Sequence, residues 1–281
     1  MRRTTVGFSG SGASRRALRW AVADCAATRR PLHVVLAGGG GAADPDEVLA
    51  DELVRFPGRE PDVDVTVTTG EASRALLEAA ADSGSLVLGC GREVAPVGPG
   101  TGRVLRVLLP RATVPVVLVG PAAVVTPTRR LLVVSSADDA VADWALERGR
   151  DLPLRLLTTW RTRSTTTRPG DPERRHAHLV AAGRHHAVRA RLSAGSRRPV
   201  HADMTEGAVG EVVPQRLTVG DLVVVSASDL PELPLRTLRA PVVLVPAVAR
   251  DLRVPEHRII DLRDGVRQQQ LTPTAPGRPR R

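Results

Sequence analysis

The stretch VPVVLVG at residues 114–120 returns, almost unchanged, as APVVLVP at residues 240–246. Both stretches are short apolar runs rich in valine, which is typical of a strand buried on both faces of a parallel sheet. Other segments recur in the same order: SLVLG (85–89) as DLVVVS (221–226), and TGEASRALLEAA (69–80) as TEGAVGEVVPQR (205–216). This recurrence, at a spacing of roughly one domain length, predicts a tandem duplication.

Within each half, strand-like apolar runs alternate with segments whose apolar residues have helical spacing. The strand-like runs lie at 4–8, 32–37, 62–69, 86–89 and 114–120, and then at 130–136, 152–160, 198–204, 221–227 and 240–247. Strands separated by helices of this length are joined by right-handed crossovers. We therefore predict an α/β fold in which a parallel sheet is covered by helices on both faces.

This pattern divides the chain into three parts. Residues 1–125 and 126–249 are predicted to be tandem domains, and residues 250–281 a tail. The end of the tail is rich in Pro, Thr, Gln and Arg, a composition that buries little apolar surface. We therefore predict that the tail is mostly disordered.

The composition is that of a globular protein, with 42% hydrophobic and 25% charged residues. The N-terminus has no apolar segment of the length that a signal peptide needs, and no apolar run reaches 18 residues. The two cysteines, Cys25 and Cys90, have neither metal-ligand spacing nor a disulfide pattern. We therefore expect a cytoplasmic protein without a membrane segment or a metal site.

The segment VGFSGSGASRRALRWAV (6–22) resembles the opening of universal stress protein domains, where a first strand runs through a short turn into a helix with Ala-Leu-x-Trp-Ala. Residues 69–89 and 104–119 look like that family's third helix, fourth strand and final strand. Trp144 occupies the place in the second half that Trp20 has in the first. The resemblance implies a Rossmann-like, adenine-nucleotide alpha-hydrolase-like fold with a five-stranded parallel sheet in each half. It also implies that the halves pack as a pseudo-dimer and that the final strands support self-association.

Nucleotide-binding members of this family carry Gly-x2-Gly-x9-Gly-Ser/Thr after the fourth strand. Such glycines let backbone N–H groups approach phosphate oxygens, and the last Gly-Ser/Thr opens a helix whose positive end attracts anions. Gly89 and Gly102 stand at the distance of the outer glycines. Arg92 stands where the second glycine belongs, and Arg103 where the Ser/Thr belongs.

The resemblance also assigns residues at the first two strands. Ser9, followed by Gly10, stands at the position of the family's aspartate, and Ala37 matches the small residue under the adenine. The implied cofactor site for ATP in the first half is therefore Ser9, Gly10, Ala37, Gly89, Arg92, Gly102 and Arg103. The replaced positions predict weak or lost ATP binding. In the second half the corresponding loop has no glycine and two prolines, which predicts no nucleotide binding.

No nucleophile, base and orienting acid can be assembled from the sequence, so no catalytic residue is predicted. We expect a non-enzymatic regulatory or ligand-sensing protein of the stress response. Slow ATP hydrolysis or phosphate transfer in the first half is a less favoured alternative.

The main alternative function lies in a basic segment at residues 155–198, which has eleven arginines and only two acids. Its helical part, 173–192, places His178, His185 and Arg189 on one stripe. Such a helix would hold RNA, phosphate metabolites or an acidic protein partner by charge. A metal at the two histidines is disfavoured because the neighbouring arginines repel cations.

Overall fold

The computed structural model describes residues 2–37, 45–54, 61–68, 70–91, 103–135, 139–162 and 171–246. The predicted tail at 250–281 lies outside these residues. By their contacts, residues Met1–Ala247 form one compact unit. The boundary near residue 125 therefore stays a prediction from the sequence repeat.

Strands and helices alternate along the first half of the chain, as predicted. The strands are β1 (Thr4–Phe8), β2 (Leu32–Ala37), β3 (Val63–Thr68), β4 (Ser85–Gly89) and β5 (Val116–Val119). The helices are α1 (Gly12–Thr28), α2 (Pro45–Val54), α3 (Ala72–Ala80) and α4 (Arg103–Leu108), and a 3-10 turn follows α4 at Leu109–Arg111.

The second half repeats this order. Its strands are β6 (Arg130–Val134), β7 (Leu154–Trp160), β8 (Val200–Glu206), β9 (Asp221–Ser226) and β10 (Val242–Val245). Its helices are α5 (Asp139–Arg148), α6 (Pro172–Gly195) and α7 (Val209–Arg216), and a 3-10 turn follows β9 at Ala227–Glu232. Across the part of the chain that is described, no helix has both the length and the apolar character that a membrane span requires.

The ten strands form a single sheet in the order β3-β2-β1-β4-β5-β10-β9-β6-β7-β8. All neighbouring strands are parallel except β5 and β10, which are antiparallel. The sheet therefore consists of two five-stranded parallel sets that meet at the β5–β10 pair. The predicted α/β class and the five parallel strands of each half are confirmed.

The β5–β10 pair joins the halves through the repeated sequence. Val117 lies opposite Val243, and the neighbouring pairs are Val116 with Leu244 and Leu118 with Val242. β5 also pairs with β4, and β10 also pairs with β9, so both edges of each strand are occupied within the chain. The pairing that we expected between copies is thus made between the halves of one chain, and neither final strand offers a free edge to a second copy.

Apolar residues are buried on both faces of the sheet, as predicted for a parallel sheet between helices. On one face, residues of β1, β2 and β6 pack against α1 and α5. On the other face, residues of β4, β9 and β10 pack against α3, α4 and α7. Because aromatic residues make up only 2% of the chain, Val, Leu and Ala form nearly all of this core.

A buried ion pair connects the two halves beside the β5–β10 junction. Asp24 of α1 and Arg148 of α5 each have a side chain that is only 6% exposed. Arg148 Nη2 donates to Asp24 Oδ1 at 2.8 Å and to Oδ2 at 2.7 Å. A buried charge whose partner is removed is strongly destabilising, since it loses its hydration without compensation.

We expect the Arg148→Ala variant to lose about 3–5 kcal/mol of unfolding free energy, because the Asp24 carboxylate stays buried without its partner. Urea denaturation followed by circular dichroism measures this loss. The control is Arg74→Ala, which breaks the exposed pair of Arg74 with Glu78 and should leave the midpoint almost unchanged. Equal losses in the two variants would contradict the role given to the buried pair.

Candidate functional site

The first half contains a switch point in the strand order, the kind of position at which open α/β sheets bind ligands in a crevice. From β1 the chain crosses over to β2 on one side, whereas β4 flanks β1 on the other side. Ligands bind at such a switch point, beyond the carboxyl ends of the strands. The segments that leave β1 and β4 there begin at Ser9 and Cys90, respectively.

The turn after β1 presents three hydroxyl groups at the N-terminus of α1. Gly10 has a φ of +72°, a left-handed conformation that favours glycine. The backbone N–H of Ser14 donates to Ser11 Oγ at 3.2 Å, so Ser11 caps the helix. The N–H of Ser9 donates to Ser14 Oγ at 3.2 Å, and Ser9 Oγ donates to Ser11 Oγ. The hydroxyls are thus held together at the positive end of α1.

Gly89 brings the end of β4 directly against this turn. A Cβ atom at this position would lie 2.1 Å from the carbonyl oxygen of Ala13, so only glycine allows the approach. The predicted residues Ser9, Gly10 and Gly89 are therefore brought together at the switch point. For Gly89 the structure provides a packing reason that does not depend on a ligand.

The other predicted site residues are less fully described. Ala37 ends β2, where its backbone pairs in register with Thr68 of β3. Arg103 begins α4, and its side chain is not described. Arg92 and Gly102 lie outside the described residues. The assignment of these four residues to a nucleotide site stays a prediction.

Two arginines that no sequence motif indicates, Arg15 and Arg16, also lie in this region. Arg15 Nε donates to the carbonyl oxygen of Gly10 at 2.9 Å, which ties the turn to the first turns of the helix. Arg16 Nε is buried and has no hydrogen-bond partner among the residues that the structure describes. The Arg16 charge also acts on the thiol of Cys90 at the end of β4. Arg16 is therefore an incompletely paired cation beside the crevice.

The two cysteines are poor nucleophiles in this fold. Both are free and buried. Burial raises the pKa of Cys90 to about 12, although the nearby Arg16 opposes this shift. Burial is also the main cause of the rise in the pKa of Cys25 to about 11. Both thiols are thus protonated at neutral pH, whereas a reactive cysteine must be a thiolate.

Substitution of glycines at the end of β4 tests the close packing of Gly89 against the first turn of α1. We expect Gly89→Ala to lose about 1–3 kcal/mol of stability, because the new methyl group clashes with backbone atoms of α1. Gly91→Ala is the matched control, since a Cβ atom there meets nothing within 4 Å. Thermal unfolding of both variants measures the difference, and an unaltered midpoint for Gly89→Ala would contradict the close approach.

The corresponding region of the second half is built differently. The 3-10 turn after β9 packs directly on α7, since a Cβ atom at Gly210 would lie 2.1 Å from the carbonyl oxygen of Glu232. Burial, followed by the charge of Glu232, raises the pKa of Asp229. Ser228 Oγ donates to Ser226 Oγ at 3.0 Å. Two carboxyl groups, those of Asp229 and Glu232, thus lie in this region, and Arg161 pairs with Glu232 at 3.4 Å.

The predicted basic helix is α6, which Asp171 caps by accepting a hydrogen bond from the N–H of Glu173. Several of its charges are neutralised by neighbouring acids. The ion pairs are Arg174 with Glu206, Arg191 with Asp139 and Asp143, and Arg197, just beyond the helix, with Asp151. The net positive field of α6 is therefore weaker than its sequence indicates.

Two of the four histidines of α6, His178 and His185, take part in packing. His178 contacts the Trp160 ring edge-on, with 5.1 Å between ring centroids. His185, which the helical spacing places on one stripe with His178 and Arg189, is buried against β7 and is therefore not exposed to a charged partner. Its Nδ1 lies 3.0 Å from Thr158 Oγ1, and this hydrogen bond makes burial of the ring tolerable. Among the described residues, no group of three or more His, Cys, Asp or Glu side chains is placed to hold a metal ion.

Burial, helped by His186 and Arg189 and opposed by Asp203, lowers the pKa of His185 below its ordinary value of 6.5. The neutral ring thus supports the folded state above pH 6.5, and that contribution declines as the pH falls below 6.5 because the unfolded state takes up the proton first. We expect the unfolding free energy to fall more steeply below pH 6.5 in the unaltered protein than in His185→Gln. The difference is at most about 1.4 kcal/mol per pH unit.

Urea titrations at several pH values between 7.5 and 5 measure this difference. His33 is also buried, with a lowered pKa, and it is present in both proteins. Its contribution therefore cancels in the comparison. Parallel pH profiles would contradict the burial of a neutral His185.

Comparison with family models and with curated proteins gives no match. Among solved structures, a universal stress protein from Archaeoglobus fulgidus is 14% identical, with a TM-score of 0.53 over 87% of this chain and 96% of that chain. A second universal stress protein from Archaeoglobus fulgidus is 23% identical, with a TM-score of 0.34 over 42% of this chain and 98% of that chain. A universal stress protein in complex with cAMP is 24% identical, with a TM-score of 0.31 over 42% of this chain and 97% of that chain.

The first of these matches extends over both halves of the chain. The protein therefore has the fold of universal stress proteins, which confirms at the level of the fold the resemblance carried by the motifs of the first half.

Proposed function

We propose that the protein is a non-enzymatic, universal stress protein-like regulator that senses a ligand in the cytoplasm. Its first half binds an adenine nucleotide weakly at the switch point between β1 and β4, and its second half binds none. The observation that carries this proposal is the incompletely paired guanidinium of Arg16, which lies near the N-terminus of α1 and beside the end of β4.

The electrostatics of this crevice favour a phosphate group. The N-terminus of a helix attracts anions through its dipole and its free N–H groups. The first turn of α1 has no acidic residue, and Arg15 and Arg16 follow directly. Arginine binds phosphate strongly because its planar donors match the phosphate oxygens. The binding is weak because serine replaces the family's aspartate at position 9.

The described part of the site supports a binding role over a catalytic one. Ser9, Ser11 and Ser14 donate to one another and to backbone groups, and no carboxylate or histidine partner of these hydroxyls is present among the described residues. A serine without an adjacent base is a weak nucleophile. The thiol of Cys90 is protonated, as its raised pKa requires.

The basic helix α6 has less support as a binding module. Arg174 and Arg191 are paired with acids, which leaves Arg175 and Arg189 as exposed arginines without an ion pair among the described residues. Nonspecific nucleic-acid binding depends on the number of phosphates that are neutralised. Because only these two exposed arginines of the described part of α6 are free of an ion pair, RNA or an acidic protein is the second candidate partner and not the first.

Isothermal titration with ATP and ADP tests the proposal, and cAMP is titrated as a third ligand. We expect ATP to bind with a dissociation constant of roughly millimolar, and Arg16→Gln to weaken that binding about tenfold, the equivalent of one lost charged hydrogen bond. The control is Arg197→Gln, which removes an exposed arginine of the second half, just beyond the end of α6.

Absence of heat with all three nucleotides at millimolar concentration would overturn the nucleotide site. Release of inorganic phosphate from ATP, above the buffer rate and lost in Arg16→Gln, would overturn the non-enzymatic role. Retention of RNA that disappears between low and physiological salt, with no nucleotide heat, would favour α6 as the functional surface.

A further inference from the structure

The junction between the halves has a local two-fold relation. β5 and β10 share the sequence VVLV, and the central pair joins the second residue of each strand, Val117 and Val243. α1 contacts β5 and α5 contacts β10, and the two helices share the core on the same face of the sheet. Equivalent positions of the two halves therefore meet near the two-fold axis, as in a symmetric dimer.

Asp24 and Arg148 are such equivalent positions. Trp20 and Trp144 match in α1 and α5, and each ion-pair residue follows its tryptophan by four residues, one helical turn. The two side chains contact each other through the hydrogen bonds of Arg148 Nη2 to both carboxylate oxygens. At the axis, the first half therefore presents a buried anion where the second half presents a buried cation.

We infer that this pair makes the junction selective for unlike halves. In a symmetric contact between two first halves, Asp24 would meet a second Asp24. In a symmetric contact between two second halves, Arg148 would meet a second Arg148. Like charges buried without compensation are costly, so they exclude such contacts, whereas the unlike contact satisfies both groups. The partner that fits each half is the other half, supplied by the same chain or by a second copy of it.

Two further charged side chains, Arg30 of the first half and Glu147 of the second half, lie near the pair. Burial lowers the pKa of Arg30, the charge of Arg148 lowers it further, and Asp24 and Glu147 oppose the shift. A second arginine is thus already close to Arg148, on the side of the first half. Arg148 relies on Asp24 to offset this repulsion, because the side chain of Arg148 has almost no exposure to water.

Charge reversal in the full chain tests the inference. The variants are Asp24→Arg and Arg148→Asp, each produced alone, and a third chain that carries both substitutions. We expect each single variant to have a much lower urea midpoint than the unaltered chain, since its own halves then present like charges. The double variant should be monomeric and recover most of the lost midpoint, because the ion pair re-forms with its charges exchanged.

Mixing the two single variants tests partner choice directly. When the two variants are refolded together from urea, the first half of the Asp24→Arg chain can meet the second half of the Arg148→Asp chain. This contact forms the ion pair with its charges exchanged. The two remaining halves, which carry no substitution, restore the original pair. We expect a heterodimer with exchanged halves, which light scattering detects as twice the chain mass. Neither variant refolded alone should form this species.

The matched control uses Arg130 and Asp221, which form an ion pair within the second half. Arg130→Asp mixed with Asp221→Arg cannot be cured by exchange of halves, because both partners belong to the same half. A mixture of Asp24→Arg with Arg148→Asp that stays monomeric or behaves like this control would overturn the inference. So would a double variant that is no more stable than the single variants.

Discussion

The antiparallel contact between β5 and β10 is the constraint on which the rest of the structure depends. It turns two five-stranded parallel sets into one ten-stranded sheet, and it occupies the edges of both final strands. Because the register is centred on Val117 and Val243, α1 and α5 are brought to the same face and Asp24 comes against Arg148. The pairing of β5 with β10 thus sets how the two halves meet, and the buried Asp24–Arg148 pair favours the contact between unlike halves.

The candidate site depends on a second close contact, between Gly89 and the first turn of α1. This contact joins the segments that follow β1 and β4, so the serine hydroxyls, the helix N-terminus and Arg16 occupy one small region. In the second half, a short 3-10 turn packed on α7 and the carboxyl groups of Asp229 and Glu232 replace this arrangement. The two halves therefore share the same order of strands and helices, whereas the residues of their strand-end regions differ.

Much of the architecture could be predicted because strand and helix patterns are local properties of the sequence. The repeated VVLV strands and the alternation of apolar runs indicated a duplicated parallel sheet, and the Gly10 turn and Gly89 were found from motif spacing. The roles of Arg16 and His185 could not be predicted in this way. The burial of Arg16 Nε depends on its neighbours in the fold, and His185 is tolerated in the core because Thr158 of another element reaches its ring.

The sequence by itself determined the α/β class, the two-fold repetition and the positions of most strands, since these follow from residue periodicity and turn chemistry. Only the tertiary structure decided that the final strands pair within one chain, that several arginines of the basic segment are neutralised, and that Asp24 meets Arg148. These contacts join residues that are far apart in the sequence. Packing and desolvation in the folded structure determine which of these residues pair, and a local sequence pattern does not indicate such pairs.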